Sequence, residues 1–505
     1  MNIINLIENA NQKYNNKVAY EYENQSITFG EVYNKTLAVA TKISSISEER
    51  DPIVVISNKN LNIPSIYLGV AYSNCFYVPV STEMPNVKIE NILKITEAKI
   101  IISDNESFEK AKSLDFSGRI LLLDECVDCE INNELITQRK NNVLDVYPLY
   151  TIFTSGSTGL PKGVVTSHAS VVDYVSTFIK TFNISQEEIF GNQAPLDYIA
   201  GIRDIYIPLI VGCKTVFINK GLFSTPKLLF EHLNNNKVTT ICWVSPALSL
   251  CCQINVFEEI KPEYVTKVFF TGSVFDCKDL NTWKKELPNA IFVNHYGPTE
   301  ITASCTYYIV DNKKEYRKPA PIGVAFDNRK VFVLTEENTK APVGEVGEIC
   351  VVGRCLALGY YKNPEKTDEC FVQNPLNNIY SEKMYKTGDL GYLDDDGNII
   401  FCGRKDNQIK HMGHRVELDE IETVACACEN VKETCCVYNT NKGVITLFYS
   451  GSATAGEISK FLRQSLPSYM IPRKFIVLEN LPKLFNGKID RQAIKKQVEE
   501  LVWLK

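Results

Sequence analysis

Short apolar runs recur along the first four hundred residues, separated by longer stretches of mixed polarity. Ile53 to Ser57, Lys99 to Ser103, Arg119 to Asp124, Thr215 to Ile218 and Lys267 to Gly272 are rich in branched and aromatic side chains. Runs of this length read as buried strands, and the amphipathic stretches between them as crossover helices. That alternation predicts an α/β fold in which parallel sheets and helices form layers. After Gly403 the text changes: Gly403 and Gly413 flank a polar, charged stretch, and a shorter set of strands and helices follows. The expected division is a large N-terminal domain, residues 1–403, and a small α+β domain, residues 404–505.

Length and composition narrow the class. A chain of 505 residues is too long for one ordinary core. With 45% hydrophobic and 23% charged residues it has the make-up of a soluble globular protein. A net charge of -6 speaks against a nucleic-acid partner, which needs clustered Lys and Arg. The N-terminus lacks a basic start and a continuous apolar stretch, so no secretory signal is expected, and no run is long enough for a membrane span. The expected location is the cytoplasm. The 17 cysteines are scattered and odd in number, and are read as reduced thiols. Cys126 and Cys129 form a CxxC, and Cys426, Cys428, Cys435 and Cys436 cluster, but neither group has the partners that a zinc site requires.

The strongest local signal is Thr154-Ser155-Gly156-Ser157-Thr158-Gly159-Leu160-Pro161-Lys162-Gly163, which follows the apolar run Leu149 to Phe153. A strand enters a loop whose glycines let backbone N–H groups turn inward, whose hydroxyls donate to oxyanions, and whose Lys162 adds positive charge. That chemistry suits a triphosphate. It is not a Walker loop, because Gly163 stands where Ser or Thr would follow the lysine. A polar surface turn has a similar composition.

Four further segments join it: Asn294 to Glu300 (NHYGPTE), Tyr385 to Leu390 (YKTGDL), Gly403 to Lys410 (GRKDNQIK) and Asn486 to Arg491 (NGKIDR). Together, and in this order, they resemble the adenylate-forming superfamily, and within it the adenylation domains of nonribosomal peptide synthetases and the D-alanine carrier-protein ligases. Softer likenesses, Ser26 to Glu31, Phe76 to Val80, Gly347 to Ile349 and Leu466 to Pro472, extend the resemblance over nearly the whole chain.

The resemblance implies an ATP-dependent acid–thiol ligase that forms AMP. In such an enzyme a carboxylic acid attacks Mg²⁺-bound ATP, pyrophosphate leaves, and the acyl group of the acyl-AMP passes to a thiol. It implies that the Thr154 to Lys162 loop binds phosphate, and that Asn294, Tyr296 and Gly297 border the nucleotide. Tyr296 would stack on adenine, with Gly272 and Ser273 on the other side of the base. Thr299 would touch the α-phosphate and Glu300 would hold Mg²⁺, a hard cation suited to carboxylate and phosphate oxygens. Asp389 would accept both ribose hydroxyls, and Arg404 would reach the ribose or phosphate edge. Asp406 occupies the hinge position of a mobile small domain. Lys488 would stabilise charge as two anions react. No carrier-protein signature follows, so the acceptor is expected in trans, as the phosphopantetheine arm of a carrier protein.

In amino-acid-activating relatives the pocket opens with an aspartate for the substrate's α-ammonium. Gapless matching places Ile199 there. A buried ammonium without its partner costs on the order of 3 to 5 kcal/mol, so the expected acid lacks an α-amine. The other pocket positions read Ala200, Arg203, Ala247, Phe269, Thr271, His295, Ala303 and Ser304. Small residues with Phe269 suit a flat apolar body, and His295 with Ser304 suits a polar tip, so a hydroxybenzoate is the type example. A register shifted by two puts Asp197 in the ammonium's place and restores an amino acid such as alanine. Two other readings are an acyl-CoA ligase and a catalytically silent nucleotide-binding protein. His168, His411 and His414 are read as surface or structural, since the acid is already ionised at neutral pH.

Overall fold

The computed structural model describes residues 1–156, 160–440, 442–483 and 489–502, with side chains to residue 496. It divides into two compact units: one comprises residues 1–82, 95–152 and 163–405, the other 83–94, 153–162 and 406–505.

The large unit is built on three sheets. In the nine-stranded sheet, strands Ile291–Tyr296, Lys267–Thr271, Thr240–Val244, Ile189–Asn192, Lys214–Phe217 and Val18–Tyr22 run side by side and parallel. Antiparallel strands close both edges, Gln25–Thr28 at one and Thr306–Ile309 with Val324–Ala325 at the other. A second, seven-stranded sheet has Pro52–Ile56 between Phe76–Val80 and Ile100–Ser103, all three buried along their whole length. Covering on both faces is why these strands read as unbroken apolar runs rather than alternating ones. The third sheet is antiparallel and five-stranded, with Gly347–Gly353 and Lys383–Leu393 at its centre. The apolar-run pattern did not announce it.

Local signals fix the helices that pack on these sheets. Helix Phe29–Ser44 starts with a reciprocal cap, in which Thr28 accepts from the Glu31 backbone and Glu31 from that of Thr28. Its buried face meets helices Ile3–Tyr14 and Ile63–Tyr72 in a core that also takes in Tyr77, Tyr150 and Phe178. No helix among the described residues is long and apolar enough to cross a membrane.

In the small unit a hairpin, Gln408–His411 with His414–Glu417, precedes helix Leu418–Cys426 and a three-stranded sheet of Val431–Asn439, Val444–Gly451 and Lys474–Val477. Its own core gathers Val416, Ile421, Leu447, Leu462 and Met470. Arg491 ties its last helix to the rest by pairing with Asp419 at 3.0 Å and Glu422 at 2.5 Å. His411 is buried here, and the His414 ring lies flat on Tyr469 at 3.8 Å. His168, in the large unit, is buried too. All cysteines are free thiols, most of them buried; Cys402 and Cys426 are exposed.

Candidate nucleotide and acid site

Strand Ile291–Tyr296 brings three expected residues to the edge of the parallel part of its sheet. Its twofold alternation sends Asn294 and Tyr296 to one face and His295 to the other. Asn294 Nδ2 donates to the Pro321 carbonyl at 2.8 Å. The Tyr296 ring joins an apolar cluster with Val164, Ile301 and Ile349, and its hydroxyl donates to Asp389 Oδ2 at 2.5 Å. Burial first, and the Asp389 charge second, push the Tyr296 phenol well above its ordinary pKa.

Asp389 lies in strand Lys383–Leu393, directly opposite Arg404 in the antiparallel register. Arg404 pairs with its Oδ1 and also donates to the Thr387 carbonyl at 3.1 Å. The Asp389 backbone N–H donates to Thr387 Oγ1 at 3.0 Å, and that hydroxyl donates to the Ile349 carbonyl at 2.7 Å. Gly388, with φ of 73°, takes the left-handed turn that sets the carboxylate beside the phenol. Expected adenine and ribose residues thus meet at one carboxylate, although 93 positions separate them.

Beyond Tyr296 the chain turns sharply. A Cβ on Gly297 would lie 2.4 Å from the Ala303 carbonyl and 2.7 Å from Ser304 Cα. Thr299–Ile301 forms a single 3₁₀ turn in which Thr299 and Glu300 are buried. Glu300 Oε1 accepts from the Tyr360 hydroxyl at 2.8 Å, and its carbonyl accepts from Ala357 N at 2.8 Å. Gly272, with φ of 90°, ends strand Lys267–Thr271, and the Ser273 carbonyl accepts from Ser245 Oγ at 2.8 Å.

In the small unit, Thr154 Oγ1 lies 3.5 Å from the Lys162 carbonyl, and Ser155 Oγ donates to the Arg415 carbonyl at 2.9 Å. The backbone folds closely at Gly156, where a Cβ would stand 2.1 Å from the Leu160 carbonyl. Asp406 Oδ1 accepts from Gln408 N at 3.2 Å. Ser157, Thr158, Gly159 and Lys488 lie outside the described residues.

The proposed acid-pocket positions divide. Ile199, Phe269 and Ala303 belong to one core, and Ala200 follows Ile199 at the head of helix Ile199–Val211. Ala247 packs on a neighbouring core with Trp243 and Phe270, while Thr271 ends its strand. Phe269 does not border open space: its ring is enclosed by Phe178 at 5.0 Å, Phe182 at 4.9 Å and His295 at 5.2 Å. Neither His295 ring nitrogen has a hydrogen-bond partner among the described residues. Burial, helped by the Arg203 charge, pulls its pKa down to about 3, so the ring is neutral. Arg203 is buried, stands 5.6 Å over the Phe178 ring and pairs with Asp204 at 2.8 Å. The Ser304 carbonyl accepts from Arg329 at 2.7 Å. Asp197 is partly exposed ahead of the helix.

Motif reading did not find Tyr360 or Lys59. Tyr360 reaches Glu300 from 60 residues away, and no short pattern marks such a partner.

Comparison with known proteins covers nearly the whole chain. Residues 7–361 match the family model described as AMP-binding enzyme, and residues 420–488 match its C-terminal domain. A D-alanine--D-alanyl carrier protein ligase of Bacillus cereus (strain G9842) is 30% identical over 515 residues, covering 99% of this chain and 100% of that one. Tyrocidine synthase 1 of Brevibacillus parabrevis is 29% identical over 499 residues, covering 97% of this chain but only 44% of that protein. The chain therefore spans less than half of this relative. Among solved structures, the Vibrio cholerae adenylation domain AlmE in complex with glycyl-adenosine-5'-phosphate superposes with a TM-score of 0.85 at 21% identity, over 99% of this chain and 98% of that one. At that identity the likeness is one of fold. By its matches over both regions, the chain belongs to the AMP-binding enzyme family.

Proposed function

We propose that this enzyme activates a carboxylic acid with ATP, releases pyrophosphate, and transfers the acyl group from acyl-AMP to the phosphopantetheine thiol of a carrier protein. The observation that carries the reading is the convergence of Tyr296 and Arg404 on the Asp389 carboxylate, in a chain of this family. An ionised carboxylate offers two acceptor oxygens to a ribose diol, and the phenol beside it supplies a flat face for adenine. Arg404 adds a fixed cation at the ribose or phosphate edge.

Thr299 and Glu300 are the residues assigned to the α-phosphate and to Mg²⁺. The chemistry fits: Glu300 is a buried carboxylate, and carboxylate oxygen is a ligand type that Mg²⁺ favours. One carboxylate with substrate phosphates is a common way to hold this ion. Bound there, Mg²⁺ offsets negative charge on the phosphates. Ser155, Gly156 and Lys162, with Ser157, Thr158 and Gly159, are assigned to the triphosphate. Lys488 is assigned to the developing charge as acid and phosphate react, with Asp406 as hinge between domains 1–403 and 404–505. An ATP-dependent reaction of this kind suits the cytoplasm.

For the acid, the absence of an α-amine is the favoured reading, a hydroxybenzoate being the type. What supports it is Ile199, buried in an apolar core at the position where an ammonium would need a carboxylate. A second reading, an amino acid such as alanine held by Asp197, draws on the D-alanine--D-alanyl carrier protein ligases among the relatives. ATP–pyrophosphate exchange across benzoates, alanine and other acids separates the two: exchange with a benzoate and none with alanine is expected, and the reverse overturns the choice. A Lys488→Ala variant is expected to keep ATP binding and lose at least about a hundredfold in exchange rate. An unaltered rate removes Lys488 from the mechanism.

A further inference from the structure

A half-buried lysine stands outside the machinery described so far. Lys59 follows strand Pro52–Ile56, and its Nζ donates to Asn192 Oδ1 at 2.8 Å. The carbonyls of Ile218, Asn192 and Gln193 lie 3.2, 3.3 and 3.3 Å from the same nitrogen. Lys59 thus binds the carboxyl ends of two neighbouring parallel strands, Ile189–Asn192 and Lys214–Phe217, together with the residue just past each. In open α/β sheets this is the edge at which ligands bind.

The contacts continue inward. Asn192 Nδ2 donates to Asp204 Oδ2 at 2.8 Å, and Asp204 Oδ1 accepts from Arg203 Nε at 2.8 Å. An ammonium only donates and a carboxylate only accepts, so the Asn192 amide has a single orientation that serves both neighbours. The segment that begins at Gln193, held by its carbonyl, leads into helix Ile199–Val211, which carries Arg203. A lysine set among carbonyl and amide oxygens is a costly way to join two strand ends, and an apolar side chain of similar length would often be as stabilising. Burial pulls the amine's pKa down to about 7, against the opposing fields of Asp204 and Asp197.

We propose that Lys59 is a positioning residue for acid binding: through Asn192 and Asp204 it sets the orientation of Arg203 and the entry of the pocket helix. The proposal rests on the reading of Arg203 as part of the acid pocket. Without Lys59, the Asn192 amide is free to turn over, Asp204 loses a defined donor, and the guanidinium is no longer held at one angle over Phe178.

The test uses the full chain with Lys59→Met, Asn192→Ala and the double variant. ATP–pyrophosphate exchange is measured with acid and ATP varied separately, using whichever acid of the panel the unaltered chain exchanges fastest. The KM for the acid should rise about tenfold or more in each single variant, as for loss of a hydrogen bond to a charged group. The kcat and the KM for ATP should stay within about twofold, and the double variant should match Lys59→Met. A purely structural role would instead lower thermal stability with both KM values unmoved. Asn192→Ala leaves the ammonium its three carbonyls, so the test is readable even if Lys59→Met does not fold. An unchanged KM for the acid, or an equal rise in the KM for ATP, overturns the proposal. Amide hydrogen exchange across residues 193–211 is read in parallel. If the unaltered chain exchanges no acid at all, the adenylation reading fails, and amide exchange alone decides: faster exchange confined to 193–211 in Lys59→Met upholds the relay, and unchanged exchange refutes it.

Discussion

Asp389 shows how much of a residue's setting is decided by strand register. Its place in Tyr385 to Leu390 points to a carboxylate facing a sugar, yet the bond from Tyr296 and the cross-strand pairing with Arg404 come from register, which short motifs do not contain. The histidines teach the converse. Nothing in their neighbours along the chain marks His168 or His295 as buried, but burial pulls their pKa values down to about 4 and about 3. An unfolded histidine takes up a proton near 6.5, so below that pH the unfolded chain binds protons that the folded one refuses. Stability therefore falls as the pH drops from about 6.5 toward 4, by about 3 kcal/mol for His168 at the bottom of that window. Denaturant melts at about pH 7 and pH 4.5 should show this loss, and a smaller one in His168→Gln. An equal loss in that variant would place the acid sensitivity elsewhere.

At the level of elements, the turn after Ile291–Tyr296 leads into the buried Thr299–Ile301 turn. Gly297 is required because the 303–304 backbone closes over it, leaving no room for a side chain. Gly297→Ala is expected to cost about 1 to 3 kcal/mol through overpacking. It should also raise the KM for ATP, since Thr299 and Glu300 follow directly; thermal melts and exchange kinetics check both. A normal melting temperature and ATP KM would mean that the 303–304 segment yields easily. The glycine announces itself in the Tyr-Gly-Pro-Thr-Glu motif. Its opposing segment does not, because Thr302 and Ala303 adopt left-handed backbone, with φ of 56° and 76°, where glycine or asparagine would be the usual signal.

Across the whole molecule, the parallel strands were the most readable part. Burial on both faces leaves an unbroken apolar run, whereas the antiparallel sheet around Lys383–Leu393 mixes buried and half-exposed positions and gives a weaker pattern. The grouping of residues 83–94 and 153–162 with the C-terminal unit is invisible in composition, because it depends on contacts between distant parts of the chain. The distribution of thiols has a practical use. Cys402 lies in the large unit and Cys426 in the small one, and both are exposed, while most of the others are shut inside. With the half-buried Cys129, Cys252, Cys277 and Cys370 replaced, maleimide dyes would attach one to each body. Energy transfer between them would then report, in single molecules, whether the distance between the two bodies changes during turnover, with no cysteine introduced.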